Sequence, residues 1–105
     1  MIQITYTLVA TPEDAKKIAK TLVQEKLAAC VNILPGILSV YEWKGHLEEG
    51  SEFGLVIKCS LDSKERMLKR LKELHPYELP AISSFEADTT VEYEAWVSMA
   101  LKKSC

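Results

Sequence analysis

Residues Ile2 to Val9 are dominated by β-branched and aromatic types and stop before Thr11-Pro12, which predicts a strand followed by a helix. Thr11 suits the N-cap and Pro12 the first helical position, while Asp14 brings a carboxylate to the positive end of the helix dipole. Ala15, Ile18, Ala19, Leu22 and Val23 then recur at helical spacing, with Lys16, Lys17, Lys20 and Gln24 on the other side, so this helix lies on a flat apolar surface. From Ala29 to Trp43 the residues favour strand, interrupted at Pro35-Gly36, a pair that predicts a bulge or sharp bend.

Lys44-Gly45-His46 reads as a turn with Gly45 free to take positive φ, and Phe53 to Ser60 returns as the second arm of a hairpin. Capping candidates around Asp62, Ser63 and Glu65 precede Met67, Leu68, Leu71 and Leu74 at helical spacing, and Pro76 biases His75 out of that helix. Ala81 to Phe85 is a short strand. Thr89 with Glu92 forms a capping pair for a final helix carrying Val91, Ala95, Trp96, Met99 and Ala100. The order β, α, β, β, α, β, α predicts an α+β fold of the ferredoxin-like split βαβ type (βαββαβ plus a C-terminal helix), an antiparallel sheet with helices on one face. The other face needs a cover, and so short a chain predicts that further copies of it supply one.

At 105 residues the chain has the length of one domain, 1–105. Its 48% apolar and 27% charged content is that of a folded globular protein, able to form a core without disulfides. Thirteen Lys and Arg against fifteen Asp and Glu give a net charge of −2, scattered in both signs, which argues against nucleic acid as a partner. The longest apolar run, Leu27 to Val31, is far short of the about 20 residues that span a membrane, so no membrane association is expected. The start lacks a signal-peptide pattern. Cys30, Cys59 and Cys105 are an odd, widely spaced set without C-x-x-C, which fits free thiols in the reducing cytoplasm.

His75-Pro76-Tyr77-Glu78-Leu79-Pro80 holds an imidazole, a phenol and a carboxylate in a connection stiffened by two prolines. His75 is a candidate metal ligand or proton shuttle with Glu78 as a second oxygen ligand; the plainer reading is a helix stop whose histidine caps carbonyls. Tyr41 and Trp43 share one face of a strand near a turn, where they line a cleft or anchor a subunit contact. Glu52 and Lys58 have the same strand parity but stand some 20 Å apart along it, so each works with different neighbours. Cys30 sits in an apolar string as a small hydrophobe, or as a thiolate suited to soft Cu(I). No H-E-x-x-H, Walker, G-x-G-x-x-G or G-x-S-x-G motif is present, so no enzyme class is announced.

Three strings, Glu25-Lys26-Leu27-Ala28-Ala29-Cys30-Val31-Asn32, Tyr41-Glu42-Trp43-Lys44-Gly45 and His75-Pro76-Tyr77-Glu78-Leu79-Pro80, stand in one order and spacing across a chain that resembles the CutA divalent-cation tolerance family. The resemblance implies a ferredoxin-like subunit, a PII-like homotrimer, cytoplasmic location, tolerance to copper and other divalent metal ions, and no established catalytic activity. By motif, His75 and Cys30 resemble proposed copper ligands. Tyr41, Trp43, Glu52, Lys58, His75 and Tyr77 resemble the cluster lining the cleft between subunits. Some members of the family carry a cysteine in the first strand just ahead of the helix, a neighbourhood that Val9 occupies here, so copper affinity would be weaker or rest on His75 with carboxylates rather than on two thiols. The alternative reading is a PII-like regulator that binds a small molecule. Acylphosphatase chemistry, which the same fold supports, loses ground because Arg66 and Arg70 both fall on the second helix and the Leu8 to Pro12 loop has no glycine cluster.

Overall fold

The computed structural model describes residues 1–102; Cys105, read above as a free thiol, lies outside them. Four strands, β1 (Ile2–Val9), β2 (Cys30–Trp43), β3 (His46–Cys59) and β4 (Ile82–Ala87), form one antiparallel sheet in the order β2-β3-β1-β4. The helices are α1 (Pro12–Gln24), α2 (Lys64–Leu74), entered through a single 3-10 turn at Leu61–Ser63, and α3 (Val91–Ala100). This is the split βαβ arrangement expected from the element order.

The punctuation at α1, the bulge and the hairpin acts as the sequence implies, whereas Ser63 at the start of α2 makes no side-chain cap. Thr11 caps α1 by accepting the Asp14 N–H at 3.1 Å, and Pro12 opens the helix. The ladder between β2 and β3 slips between Leu34 and Ile37, where Gly36 takes a φ of +72°. Lys44 and Gly45 both have positive φ and close the hairpin as a two-residue turn. Elsewhere the boundaries move. Thr90, not Thr89, caps α3, accepting the Tyr93 N–H. The last strand runs Ile82–Ala87 rather than Ala81–Phe85. The largest correction is β3, which begins at His46 instead of Phe53. The polar run His46 to Glu52 has little strand propensity of its own and is recruited by pairing with the apolar far half of β2.

One face of the sheet carries α1 and α2. Ala15, Ile18, Ala19 and Leu22 of α1 and Met67 and Leu71 of α2 close over Val9, Leu55, Ile57 and Cys59. Each fully buried large aliphatic side chain in this layer contributes about 1.5 to 3 kcal/mol. Arg70 of α2 donates to both carboxylate oxygens of Glu25 at the end of α1, at 2.9 and 3.0 Å, and fixes how the two helices lie together. The helices-on-one-face expectation holds for this pair. The terminal helix α3 instead crosses to the opposite face, where Val97 and Tyr93 pack with Ile2, Ile4 and Ala29 at one end of the sheet.

At the other end β2 and β3 outrun the sheet. β1 pairs only with Phe53–Cys59 of β3, so Ile37 to Glu52 projects as a two-stranded arm with no third strand beside it among the described residues. A 14-residue strand spans about 46 Å, and these two account for the 50 Å long axis of the molecule. Register divides the arm into two sides. Leu38, Val40 and Leu47 share one; Tyr41, Trp43, His46 and Glu48 share the other with Glu52.

Candidate functional site

The 75–81 connection leaves α2 and runs to β4 past the root of this arm. Leu71 is the last helical residue whose carbonyl finds an N–H there, that of His75, and Pro76 prevents continuation. The His75 ring turns inward and is only 8% exposed. Its Nε2 lies 2.9 Å from the Leu8 carbonyl and 3.1 Å from Thr7 Oγ1, and its Nδ1 accepts the Tyr77 N–H at 3.2 Å. A carbonyl only accepts, so the network assigns the proton to Nε2 and a neutral ring. Burial holds the His75 pKa below the usual histidine value, opposed in part by the Leu8 carbonyl and the Asp14 and Glu52 charges. Both nitrogens are thus spent inside one subunit, on β1 and on the residue two positions ahead.

Tyr77 is the beneficiary. Its ring packs tilted against His75 at 4.9 Å between centroids, and its phenol donates to Glu52 Oε2 at 2.8 Å. Burial and the adjacent Glu52 carboxylate push the Tyr77 pKa up to about 12, so the phenol remains a donor. Above this pair opens a groove of 610 Å3 whose walls include Leu8, Tyr41, Trp43, Glu52, Tyr77 and Glu78. Trp43 is 55% exposed, and the Lys44 ammonium lies 6.0 Å from its ring centroid. The groove has aromatic walls and carboxylates, and among the described residues no Lys, Arg or His side chain is in its lining.

The residues singled out from sequence therefore fall into two places. Tyr41, Trp43, Glu52 and Tyr77 meet at the groove, with His75 behind Tyr77 as its support. Lys58 is elsewhere: it pairs across the sheet with Ile4 and Cys30, and its ammonium sits 5.6 Å from the Tyr93 ring of α3. Cys30 accompanies Lys58, whereas His75 is anchored at Thr7 and Leu8, three to four residues further along β1, or about 10 to 13 Å. The two suggested copper ligands are thus not brought together. Among the described residues no group of three His, Cys, Asp or Glu side chains converges as a metal centre, so the donor set of a single copy does not fit a resident metal. Sequence reasoning missed Thr7 and Leu8 as the anchors of His75. A Thr two residues before the end of a strand carries no local signal of that role.

The described thiols are unpaired. Cys59 is fully buried, and burial pushes its pKa up to about 11. No helix among the described residues is long and apolar enough to cross a membrane.

The sequence pattern of the family described as CutA1 divalent ion tolerance protein matches residues 3–100. The divalent-cation tolerance protein CutA of Thermus thermophilus is 40% identical over 98 residues, covering 92% of this chain and 95% of that one. That of Pyrococcus horikoshii is 40% identical over 101 residues, covering 95% and 98%. The crystal structure of the divalent ion tolerance protein CutA1 from Ehrlichia chaffeensis superposes with a TM-score of 0.94 at 30% identity, covering 97% of this chain and 96% of the other.

Proposed function

The chain belongs to the CutA1 divalent ion tolerance family, and from that premise we propose that copies of it assemble as a homotrimer whose clefts between subunits capture divalent cations, copper among them. This is binding without turnover. The observation that carries the assembly is the projecting arm, where Leu38, Val40 and Leu47 lie on one side at 63%, 58% and 77% exposure. A two-stranded ribbon is marginal by itself in water, and this one presents an aliphatic side that only another surface can bury. Because the described residues of one copy form no metal centre, the donors for a captured ion come from more than one subunit or from the groove carboxylates. Carboxylate oxygens suit harder divalent ions better than Cu(I). The unpaired Cys30 and Cys59 support cytoplasmic residence.

Light scattering on the full chain, joined to Cu(II) and Zn(II) titrations of the parent and Glu52→Gln, tests both halves. A trimer mass with saturable binding is expected. A monomer in dilute solution ends the assembly reading, and melting curves and spectra unmoved by either ion end the metal reading.

The second reading, a PII-like trimer that senses a small molecule, is favoured by the groove itself. Its volume lies in the range of about 300 to 1,000 Å3 typical of organic-ligand sites, far more than a bare ion fills. Ligand-dependent hydrogen-exchange protection confined to the 75–81 connection and the arm root supports this reading, and uniform exchange removes it.

A further inference from the structure

We propose that the groove at the arm root selects a small organic cation, an ammonium group carried on an apolar body, and rejects anions. The inference rests on the reading of that groove as the ligand site and adds the charge and class of the ligand. Three ring systems, Tyr41, Trp43 and Tyr77, and two carboxylates, Glu52 and Glu78, face the same volume, and among the described residues of one copy no basic side chain joins them in its lining. A sugar phosphate or carboxylate would meet two negative charges in that lining against the Lys44 ammonium outside it, and a bare metal ion would leave the aromatic walls unused. An ammonium on an apolar stem satisfies both kinds of wall: its charge meets ring faces and carboxylate oxygens, and its stem covers Leu8 and Leu79.

Two further observations point the same way. The chain's own Lys44 ammonium lies over the Trp43 ring at 6.0 Å, the outer reach of a cation–ring contact, so a cation can stand on that ring face. The Tyr77 phenol engages Oε2 of Glu52 alone, so Oε1 stays available to a donor on the ligand. The arm that bears the rings also carries Glu42, Glu48, Glu49 and Glu52 against the single Lys44, a field that concentrates cations near the groove mouth.

The test uses three probes of one shape and three charges on the full assembled chain: choline, 3,3-dimethylbutan-1-ol and 3,3-dimethylbutanoate. Binding is read at the Trp43 indole N–H resonance, assigned with Trp43→Phe. Choline is expected to bind roughly 5- to 30-fold more tightly than the neutral alcohol, the range of a partly to fully desolvated cation–ring contact, and the carboxylate more weakly than either. Glu52→Gln and, independently of the Tyr77 bond, Glu78→Gln should each narrow the preference for choline. Equal affinity for choline and the alcohol, tighter binding of the carboxylate, or no response to any probe from a chain that light scattering shows to be assembled would each overturn the inference. A monomeric mass with the choline preference intact overturns the assembly proposal and upholds this one.

Discussion

The Tyr77 phenol donates to Glu52 at 2.8 Å and so ties the loop after α2 to the root of the β2–β3 arm, two parts of the chain separated by 25 residues. Tyr77 is itself held by His75, which is fastened to β1 through Leu8 and Thr7. A single relay therefore runs from the sheet interior to the groove, and each of its members can be removed separately.

Tyr77→Phe keeps the ring and deletes the hydrogen bond. A bond to a carboxylate at a partly buried site is worth on the order of 1 to 2 kcal/mol, so a lowered melting temperature is expected with the fold retained. The pH dependence has a definite sign. The phenol titrates at about 12 in the folded chain against about 10 when unfolded, so the contact stabilises fully below pH 10 and is lost as pH rises toward 12. Ultraviolet titration of parent and variant should show that the missing tyrosine is a late-ionising one. If the variant lacks an early-ionising tyrosine instead, the contact to Glu52 is not formed in solution.

His75 reports on acid. Its folded pKa is depressed, so the stability it gives is present above the unfolded value of about 6.5 and drains away as pH falls through the lower folded value. Protonation at Nδ1 would set a donor against the Tyr77 N–H it now accepts. Urea midpoints measured across this range should fall more steeply for the parent than for His75→Gln, whose amide can donate and accept but does not titrate. Parallel profiles would mean that the ring is not buried in its neutral form.

Much of this architecture is legible in the residues. Thr11-Pro12, Pro35-Gly36 and Lys44-Gly45 mark a helix start, a bulge and a hairpin because each needs backbone geometry that few residues supply. What stays hidden is set by distant partners. Gln3, Thr5 and Thr7 alternate with Ile2, Ile4 and Tyr6, and alternation alone would turn the polar trio to water; all three are buried beneath the helices. Ser84 of β4 bonds Gln3 and Thr5 at 2.8 Å each, and His75 takes Thr7, so burial costs them no unmet hydrogen bond. The groove was half readable: strand parity joins Tyr41 to Trp43, whereas their meeting with Tyr77 and Leu8 depends on where the 75–81 loop lands.

Gly54 lets the arm join the sheet. A Cβ there would stand 2.7 Å from Ile37 Cδ1, the tip of a half-buried side chain, and 3.2 Å from the Tyr6 ring, so both must give way. Gly54→Ala is expected to cost about 1 kcal/mol, the low end of the overpacking range because the Ile37 tip can turn aside, or roughly 4 to 8 °C of melting temperature. Shortening the obstructing side chain should recover part of it, so Gly54→Ala with Ile37→Val should lose less than the two single losses added together. Strict additivity would place the strain elsewhere.

Val40→Lys separates the two possible fates of the arm's aliphatic side. On a ribbon that stays in water, an exposed valine exchanged for lysine shifts stability by no more than about 0.5 kcal/mol. In a contact between copies the same change forces an ammonium against Leu38 and Leu47 or their counterparts, where an unpaired buried charge costs several kcal/mol. The expected result is a chain with near-parent circular dichroism whose mass falls on dilution and whose melting temperature lies below the parent's, because assembly now contributes less to holding the fold. A variant that keeps the parent mass at every concentration would show that Leu38, Val40 and Leu47 face solvent, and the arm would then need another reason for its length.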